Sequence, residues 1–279
     1  MPELPEAETI VRGLRSSIVG ERIERVEVLK ADVLREPKRR FSAKLRGRTI
    51  IAVERRAKNV LILLDGKRLV AVNLGMTGRL LHFATPPHAG RRPGHPAVRL
   101  RFAAGGLLVF DDTRRFGTVE CLSADQWRER SDRLGPEPLG DDYASGDLLA
   151  ALSMSRSPVR SWLLDQRRIA GIGNIYAAEA LYLAGIHPKC PARDIDPDRA
   201  AALHQSIRTV LRDAIRAGGT TIRDYRTVEG AEGQYARHLY VYGREGEPCS
   251  RCDTTVEKVV FSNRSAFFCP RCQPSSANT

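Results

Sequence analysis

Four cysteines near the end of the chain have the spacing of a metal site. Cys249 and Cys252 form one C-x2-C pair, Cys269 and Cys272 form a second, and sixteen residues separate the pairs. Two such pairs supply the four thiolates of a closed tetrahedral zinc site, whereas two structural disulfides are unusual in a cytosolic protein. The spacing therefore predicts one structural zinc ion. Because four protein ligands fill the coordination sphere, the chemistry must lie elsewhere.

The segment between the two cysteine pairs, "VEKVVFSNRSAFFC", alternates like the two strands of a β-hairpin. The predicted turn consists of Ser262, Asn263 and Arg264. An arginine at the tip of a zinc-stiffened hairpin is well placed to bind a phosphate of a nucleic acid. A solvated turn arginine explains the pattern equally well, so the spacing alone leaves both interpretations open.

The stretch "GIGNIYAAEA" places two glycines just ahead of Asn174 and a predicted helix. The first backbone N–H groups of a helix carry a partial positive charge and suit a phosphate. Ordinary capping of the helix by Asn174 is the alternative, and it is just as common.

Five further residues could contribute to nucleic-acid binding. "DDTRRFG" ends a predicted strand with Arg114, Arg115 and Phe116, and cations beside an aromatic ring suit a wedge between stacked bases. A salt-bridged turn is the simpler explanation. Lys58 and Met76 also follow predicted strands, where a surface lysine and a core thioether are the ordinary interpretations.

The overall composition favours a polyanionic partner and gives no sign of a membrane segment. The 279 residues include 45 Lys and Arg against 33 Asp and Glu, a formal charge of +12. Such an excess favours nucleic acid through counterion release, although a solubilising surface would have the same composition. No apolar run approaches the roughly 20 residues of a membrane helix. Three acids in the opening "MPELPEAE" exclude a signal peptide, so we expect a cytoplasmic protein.

Periodicity predicts the elements that must position these residues. Apolar residues of one helix face follow Pro5 and end before Gly20. Residues 22 to about 122 then alternate with period two, with hairpin turns at Asp65-Gly66 and Gly105-Gly106, whereas "HFATPPHAGRRPGHPAV" is typical of a loop. Three helical segments follow: "PVRSWLLDQRR", "NIYAAEALYLAG" and "DRAAALHQSIRTVLRDAIRAGG". The predicted fold is α+β and multidomain, with an N-terminal antiparallel β-sandwich carrying one helix, a helical region and a zinc hairpin.

Taken together, these motifs resemble the formamidopyrimidine-DNA glycosylase family of bacterial base-excision repair. The resemblance covers essentially the whole chain and rests on "MPELPE", "RRAK", "LGMTG", "RRFG", "LGPEPL", "GIGNIYAAEAL", "GGTT", "VYGREGEPC" and the four-cysteine tail. It implies a catalytic sandwich at 1–134, a helix-two-turn-helix domain at 135–228, part of a lesion-covering loop and a connection at 229–238, and a zinc finger at 239–273.

The resemblance also implies a catalytic role for the start of the chain. Removal of the initiator methionine, which a small second residue such as Pro2 allows, would leave a secondary amine able to attack C1′ of a damaged nucleotide. Glu3 is expected to transfer protons at the sugar. Lys58 would favour the uncharged amine through like-charge destabilisation of its ammonium form, and the resemblance also counts Arg264 among the catalytic residues. No cofactor is expected at the reacting centre.

DNA-binding roles follow from the same resemblance. Met76, Arg114 and Phe116 are expected to fill the space left by the everted base. Lys58, Asn174, Arg264 and Arg115 are expected to contact phosphates around the lesion. The implied partner is double-stranded DNA with oxidised bases or abasic sites, bound by a monomer without any membrane.

Several positions depart from the pattern expected of the family. Ala7, Asn59 and Thr113 are conservative departures, whereas Glu232 to Tyr235 change the loop expected to close over the everted base. The favoured substrates are oxidised purines, namely 8-oxoguanine and formamidopyrimidines. One alternative is an endonuclease VIII-like enzyme for oxidised pyrimidines, and another is a non-catalytic binder of damaged DNA.

Overall fold

The computed structural model describes residues 2–85, 93–261 and 264–275, and these form two compact units. The first unit contains residues 1–133 and 215–236, and the second contains residues 134–214 and 237–279. No helix in the described part of the chain combines the length and the apolarity that a bilayer span requires.

The described residues contain seven α-helices, two short 3-10 helices and ten β-strands. The α-helices are α1 (Leu4–Ile18), α2 (Lys38–Leu45), α3 (Ala124–Ser131), α4 (Ser145–Ser153), α5 (Val159–Leu164), α6 (Asn174–Leu183) and α7 (Pro197–Arg216). The 3-10 helices are Ala192–Asp194 and Tyr235–His238. The strands are β1 (Ile23–Val28), β2 (Ile50–Arg56), β3 (Asn59–Leu64), β4 (Arg68–Asn73), β5 (Gly78–Phe83), β6 (Pro96–Phe102), β7 (Leu107–Asp112), β8 (Thr118–Ser123), β9 (Glu257–Phe261) and β10 (Arg264–Phe268).

Helix α1 begins within four residues of the chain start, as the sequence predicted. Pro5 stands in its first turn, where a missing N–H costs nothing, and the backbone N–H of Glu3 donates to the Glu6 carboxylate at 2.7 Å. The predicted apolar face is buried throughout: Ala7, Ile10, Val11, Leu14 and Ile18. The helix ends before Gly20, whose φ of 90° suits glycine.

The strands of the first unit form the predicted antiparallel β-sandwich. One four-stranded sheet has the order β1-β6-β7-β5 and the other β2-β3-β4-β8. Their apolar faces share one buried core with α1, which contacts β2, β3 and β5. The predicted hairpins at Asp65-Gly66 and Gly105-Gly106 are confirmed, since β3 pairs with β4 and β6 pairs with β7.

The predicted loop of residues 82–98 was partly wrong. His82 and Phe83 end strand β5, and Pro96–Val98 begin strand β6. Strand β5 has a mixed burial pattern and lies beside proline-rich sequence, so its sequence does not show the alternation of apolar and polar residues that predicts a strand. Residues 86–92 lie outside the described part of the chain.

The sequence also missed helices α2, α3 and α4. Helix α2 buries only Phe41 and Leu45, α4 buries only Leu148 and Leu152, and α3 buries no residue. So few apolar positions give no periodic pattern to detect. Conversely, the first helical segment of the second unit is shorter than predicted. Helix α5 ends before Asp165, whose carboxylate accepts the backbone N–H of Arg167 at 3.1 Å and forms a turn.

Within the second unit, a buried carboxylate joins helix α6 to the segment before the zinc finger. Glu179 is fully buried, and its two oxygens accept the backbone N–H groups of Tyr240, Val241 and Tyr242 at 2.7 to 3.0 Å. Three backbone donors with no other element to pair with are thus satisfied by one side chain. These hydrogen bonds hold residues 240–242, which precede the cysteine cluster, against helix α6.

We expect Glu179→Ala to destabilise the second unit by about 3 kcal/mol or more, because each buried N–H left without an acceptor costs about 1–3 kcal/mol. Urea unfolding monitored by circular dichroism measures the loss. Glu179→Gln is the matched control, since it keeps one carbonyl oxygen and should lose clearly less. Equal losses for the two variants would contradict this assignment.

Candidate active site and zinc centre

The chain start is buried and held by a single carboxylate in the first unit. Pro2 and Glu3 are both buried, directly ahead of α1. The Glu6 carboxylate accepts the N–H of Glu3 with one oxygen and the N–H of Thr220 with the other, each at 2.7 Å. Chain ends are normally poorly ordered, and these two hydrogen bonds restrain the residues that directly follow Pro2.

The second partner of Glu6, Thr220, lies in the segment that leads to the predicted lesion-covering loop, part of which is assigned to residues 229–238. Gly219 precedes Thr220 with a φ of 87°, and a side chain there would meet the Glu6 carboxylate and the ring of Tyr225. The ring hydroxyl of Tyr225 donates to the carbonyl of Gly218 at 3.1 Å. Burial, and secondarily the charge of Glu6, raises the pKa of Tyr225. The base of this loop is therefore packed against the start of the chain.

The loop itself has local contacts of its own. Arg226 forms an ion pair with Glu232 at 2.8 Å, and the N–H of Gly233 donates to the hydroxyl of Thr221 at 2.9 Å. Tyr235 is buried and begins a 3-10 helix. Residues 232–235 depart from the family pattern, and two of them make local contacts with Thr221 and Arg226 of the preceding segment.

Lys58 lies in the two-residue turn between β2 and β3 and is half-buried. The turn is tied to α1, because Arg55 forms an ion pair with Glu8 at 3.1 Å and donates to the carbonyl of Ala57 at 3.1 Å. Burial by itself would raise the pKa of Glu8, but hydrogen bonds and charge from Arg12 and Arg55 lower it overall. The Glu8 carboxylate therefore anchors the turn that carries Lys58 to the helix behind Pro2.

The same turn is also tied to the loop that carries Met76. The Asn73 side chain donates to the Oδ1 of Asn59 at 3.1 Å and accepts the N–H of Gly75 at 3.0 Å. Asn59 is one of the departures from the family pattern, and here it forms a cross-strand side-chain pair. Lys58 and Met76 thus occupy neighbouring loops at one end of the sheet.

Met76, Arg114 and Phe116, the wedge residues, lie at the surface of the first unit. Met76 is 39% exposed and Phe116 is 57% exposed, so neither belongs to the core. The Arg114 guanidinium stacks 4.6 Å above the centre of the Phe116 ring. A half-exposed aromatic ring beneath a cation is suited to stacking on a DNA base. Arg115 is half-buried, with a φ of 58°.

Two glycines allow the wedge loops to approach each other. Gly75 has a φ of 58°, and a Cβ there would lie 2.6 Å from the backbone of Phe116 and Gly117. A Cβ at Gly117 would lie 2.6 Å from the ring of Phe110. The loop before β5 and the loop after β7 therefore pack backbone against backbone.

Asn174 is the first residue of α6 in the second unit, and it does not cap the helix. The N-cap residue is Gly173, which has no side chain. The Asn174 amide instead donates to the carbonyl of Ser265 at 3.0 Å and accepts from Arg160 at 2.5 Å. The capping interpretation of Asn174 was therefore wrong, and its amide orientation is set by hairpin β9–β10 and by Arg160.

Arg160 is a buried cation that the sequence analysis missed. One guanidinium nitrogen, Nη2, donates to both Asn174 and the Ser265 carbonyl, while the guanidinium packs 4.8 Å above the centre of the Phe261 ring. Its Nε and Nη1 have no hydrogen-bond partner among the described residues. Burial, together with the charge of Arg264, lowers the pKa of Arg160 to about 10. No pattern in the sequence distinguishes this arginine from the many others.

Arg264 is exposed as the first residue of β10, in the predicted hairpin with β9. The hairpin is confirmed by the register that pairs Arg264 with Phe261. Two residues of the predicted turn, Ser262 and Asn263, lie outside the described part of the chain. The second unit therefore brings Asn174, Arg160 and Arg264 to one end of α6.

The four predicted metal ligands form one cluster, in which all four sulfurs lie within 4.8 Å of one another. Their Sγ–Sγ distances include 3.8 Å from Cys249 to Cys272 and 3.5 Å from Cys252 to both Cys269 and Cys272. A tetrahedron with zinc–sulfur bonds of about 2.3 Å has sulfurs about 3.8 Å apart. The cluster fits one structural zinc ion.

The pKa values of the four thiols also favour a divalent cation in the cluster. Burial, followed by the neighbouring thiols, raises the pKa of Cys272 to about 12, whereas the hydrogen bond from Thr254 lowers the pKa of Cys252 to about 6. Ionising all four thiols requires a positive charge between them. The Tyr182 hydroxyl lies 3.2 Å from the Cys249 sulfur and links the cluster to α6.

Exposed stacking side chains, a basic composition and a four-thiolate cluster define a DNA-binding protein with a structural zinc centre. Three family models match consecutive parts of the chain. They are "Formamidopyrimidine-DNA glycosylase N-terminal domain" over residues 1–119, "Formamidopyrimidine-DNA glycosylase H2TH domain" over residues 134–226 and "Zinc finger found in FPG and IleRS" over residues 246–274.

Relatives and solved structures agree with these models. The formamidopyrimidine-DNA glycosylase of Chloroflexus aggregans is 45% identical over 276 residues, which are 98% of either chain. The Lactococcus lactis Fpg in complex with DNA containing an abasic site is 34% identical, with a TM-score of 0.91 over 98% of this chain and 100% of that one. A variant of the same protein in complex with Fapy-dG DNA matches with the same values. The chain belongs to the formamidopyrimidine-DNA glycosylase family, whose members are bifunctional DNA glycosylases and lyases of base-excision repair.

We expect Arg160→Met to free the Asn174 amide and to destabilise the second unit by about 2 kcal/mol, because hydrogen bonds from charged donors are worth about 1.5–3 kcal/mol. Urea unfolding measures the stability, and the NMR exchange rate of the Asn174 side-chain amide measures its release. Arg156→Met removes the same charge from an exposed position and serves as the control. Unchanged amide exchange in Arg160→Met would contradict the assignment.

We expect Cys249→Ser to lose zinc and to unfold the β9–β10 hairpin, since structural zinc supplies folding energy locally. DNA affinity should fall with it. Atomic absorption measures the zinc content, and fluorescence anisotropy measures binding. Cys190→Ser alters a buried thiol outside the cluster and should retain one zinc per chain. A Cys249→Ser protein with full zinc and full affinity would contradict the structural role of the metal.

Proposed function

We propose that this protein excises oxidised purines from duplex DNA and then cleaves the strand at the resulting abasic site, with Pro2 as the nucleophile. Membership of the formamidopyrimidine-DNA glycosylase family supports the paired glycosylase and lyase activities. The observation that carries the assignment of Pro2 is the buried, doubly tethered start of the chain. A protein that only binds DNA has no need to fix its first residues through Glu6.

In the first step, the Pro2 nitrogen attacks C1′ of the damaged nucleotide once the initiator methionine has been removed. The new bond to nitrogen replaces the glycosidic bond, whose electrons leave with the oxidised base. The amine loses its proton as the C1′–N bond forms, and the departing base takes up one proton. Glu3, the adjacent residue, protonates the ring oxygen as the sugar opens. The result is a Schiff base between Pro2 and the opened deoxyribose, and no redox change takes place.

Two eliminations then cut the strand. Removal of a proton at C2′ expels the 3′ phosphate, and removal of a second proton at C4′ expels the 5′ phosphate. The iminium group accepts the electrons of each broken C–H bond, and Glu3 is suited to transfer both protons. A free secondary amine is needed at the outset. The positive charge of Lys58, whose turn is anchored to α1, would lower the pKa of that amine.

The wedge residues are proposed to stabilise the everted state of the DNA. Removing a base from the stack costs a few kcal/mol, which new contacts must offset. Arg114 faces the orphaned cytosine in this proposal, while Met76 and Phe116 fill the vacated space. Their exposure and the stacking of Arg114 on Phe116 support this role.

Contacts to phosphates are assigned to Lys58, Asn174, Arg264 and Arg115. Such contacts position DNA without reading its sequence, as an enzyme that searches all sequences requires. The Asn174 amide, oriented by Arg160, supports its assignment. Arg264 is exposed and therefore accessible, whereas Arg115 is half-buried and has the least support of the four.

The proposed domains are the catalytic sandwich at 1–134, the helix-two-turn-helix domain at 135–228, part of the lesion-covering loop and a connection at 229–238, and the zinc finger at 239–273. We infer a cytoplasmic monomer that acts at the nucleoid. The proposed substrates are 8-oxoguanine and formamidopyrimidines.

We expect borohydride to trap a covalent protein–DNA adduct on a duplex with 8-oxoguanine opposite cytosine, because the reagent reduces a Schiff base to a stable amine. Mass spectrometry of the digested adduct should place the link on Pro2. A protein with an uncleaved tag ahead of Pro2 should form no adduct, whereas the same tag after residue 279 should have no effect.

Each other outcome rejects part of the proposal. An adduct on an internal lysine would overturn Pro2 as the nucleophile. Tight binding without any adduct would support a non-catalytic binder. Faster release of thymine glycol than of 8-oxoguanine would support an enzyme of the endonuclease VIII type.

A further inference from the structure

One buried carboxylate joins the two loops that carry the wedge residues. Asp112 is the last residue of β7 and is fully buried. Its Oδ1 accepts the hydroxyl of Thr77 at 2.5 Å and the backbone N–H of Arg114 at 3.2 Å. Its Oδ2 accepts the backbone N–H of Gly117 at 2.9 Å. The three donors come from both loops.

Each donor is adjacent to a wedge residue in the chain or is one itself. Thr77 follows Met76, the Arg114 N–H belongs to the residue that stacks on Phe116, and Gly117 follows Phe116. The Arg114 N–H also points to the Thr77 hydroxyl at 3.0 Å, which closes a small network around the carboxylate. A movement of either loop would break at least one of these bonds.

The backbone places Asp112 where it can make these bonds. Strand β5 begins beside the end of β7, with Gly78 opposite Asp112 in the register. Gly75 lets the two loops touch, and a Cβ at Gly117 would lie 3.1 Å from the Asp112 Oδ2, so the fully buried carboxylate lies between the loops. Only a group that accepts hydrogen bonds on both oxygens satisfies donors on both sides, and a carboxylate does so with charge-assisted bonds.

We propose that Asp112 is a positioning residue that holds Met76, Arg114 and Phe116 as one rigid unit and thereby controls the eversion of a damaged base. This inference rests on the proposed function, in which those three side chains fill the gap in the DNA. A wedge whose parts move independently must be ordered at the moment of insertion, at an entropic cost. Because the hydrogen bonds to Asp112 order these residues before DNA binds, this entropic cost does not arise during insertion.

We expect a change at Asp112 to slow the reaction on 8-oxoguanine DNA more than the reaction on abasic DNA. A duplex with 8-oxoguanine requires a stacked base to be removed, whereas an abasic site has no base in the stack. Asp112→Asn retains the side-chain volume but turns one acceptor into a donor. Release of 8-oxoguanine in a single turnover should fall about tenfold or more, the effect of one lost buried hydrogen bond. Borohydride trapping on a pre-formed abasic duplex should change less than about threefold on the same grounds.

Asp111 provides a matched control on the same strand. Its carboxylate is also buried and accepts a backbone N–H, that of His95 at 2.6 Å, but this donor lies just before β6 and outside the two loops that carry the wedge residues. Asp111→Asn should therefore leave the ratio of the two reactions unchanged, even if it lowers the melting temperature. A 2-aminopurine beside the lesion, which brightens when its stacking is lost, should respond more slowly with Asp112→Asn than with Asp111→Asn.

Two variants of Thr77 test the same inference if Asp112→Asn does not fold. Thr77→Val removes the hydroxyl donor at nearly constant shape, and it should lower 8-oxoguanine release relative to abasic trapping. Thr77→Ser retains the hydroxyl and should restore the wild-type ratio. Equal ratios for the two Thr77 variants, or equal losses of both reactions in Asp112→Asn and Asp111→Asn, would overturn the inference.

The wild-type protein separates this inference from the proposed function. If wild-type protein neither releases 8-oxoguanine nor forms an adduct with abasic DNA, the proposed function fails. If it does both and the Asp112 and Thr77 variants keep its ratio, only the positioning role of Asp112 fails.

Discussion

The Glu6 carboxylate imposes the constraint on which the geometry at the start of this chain depends. One side chain three residues beyond Glu3 restrains the residues ahead of α1 by accepting two backbone N–H groups. One comes from the chain start and the other from the base of the loop at Thr220. The residue next to Pro2, the proposed nucleophile, and the segment at Thr220 therefore share one hydrogen-bond acceptor within the same unit.

Buried carboxylates perform the same physical task at three places in the molecule. Glu6 holds the chain start, Glu179 holds the segment before the zinc finger, and Asp112 holds the wedge loops. In each case a short acidic side chain satisfies backbone donors that no helix or strand can pair with. Because an ionised carboxylate only accepts, it suits irregular backbone whose N–H groups converge. The enzyme thus builds rigid, functional loops without lengthening its secondary structure.

The sequence predicted well those features whose signal is local. The sandwich, the long helices α1 and α7 and the cysteine cluster follow from periodicity or from spacing within a few dozen residues. Contacts between distant residues gave no such signal. The Arg160 guanidinium meets the Ser265 carbonyl 105 positions away, and Glu6 meets Thr220 214 positions away. In both contacts the partner is a backbone group, so the identity of the partner residue carries no information.

The sequence motif around Asn174 was compatible with two different roles for its side chain. Its position before a helix fitted both a cap and a phosphate contact, and only the hydrogen bonds to Arg160 and Ser265 decide against the cap. An amide whose oxygen is already engaged by a cation must present its N–H groups elsewhere. The amide nitrogen accordingly donates to the Ser265 carbonyl of the hairpin. In the proposed phosphate contact of Asn174, the role of the buried arginine is therefore to fix the orientation of the amide.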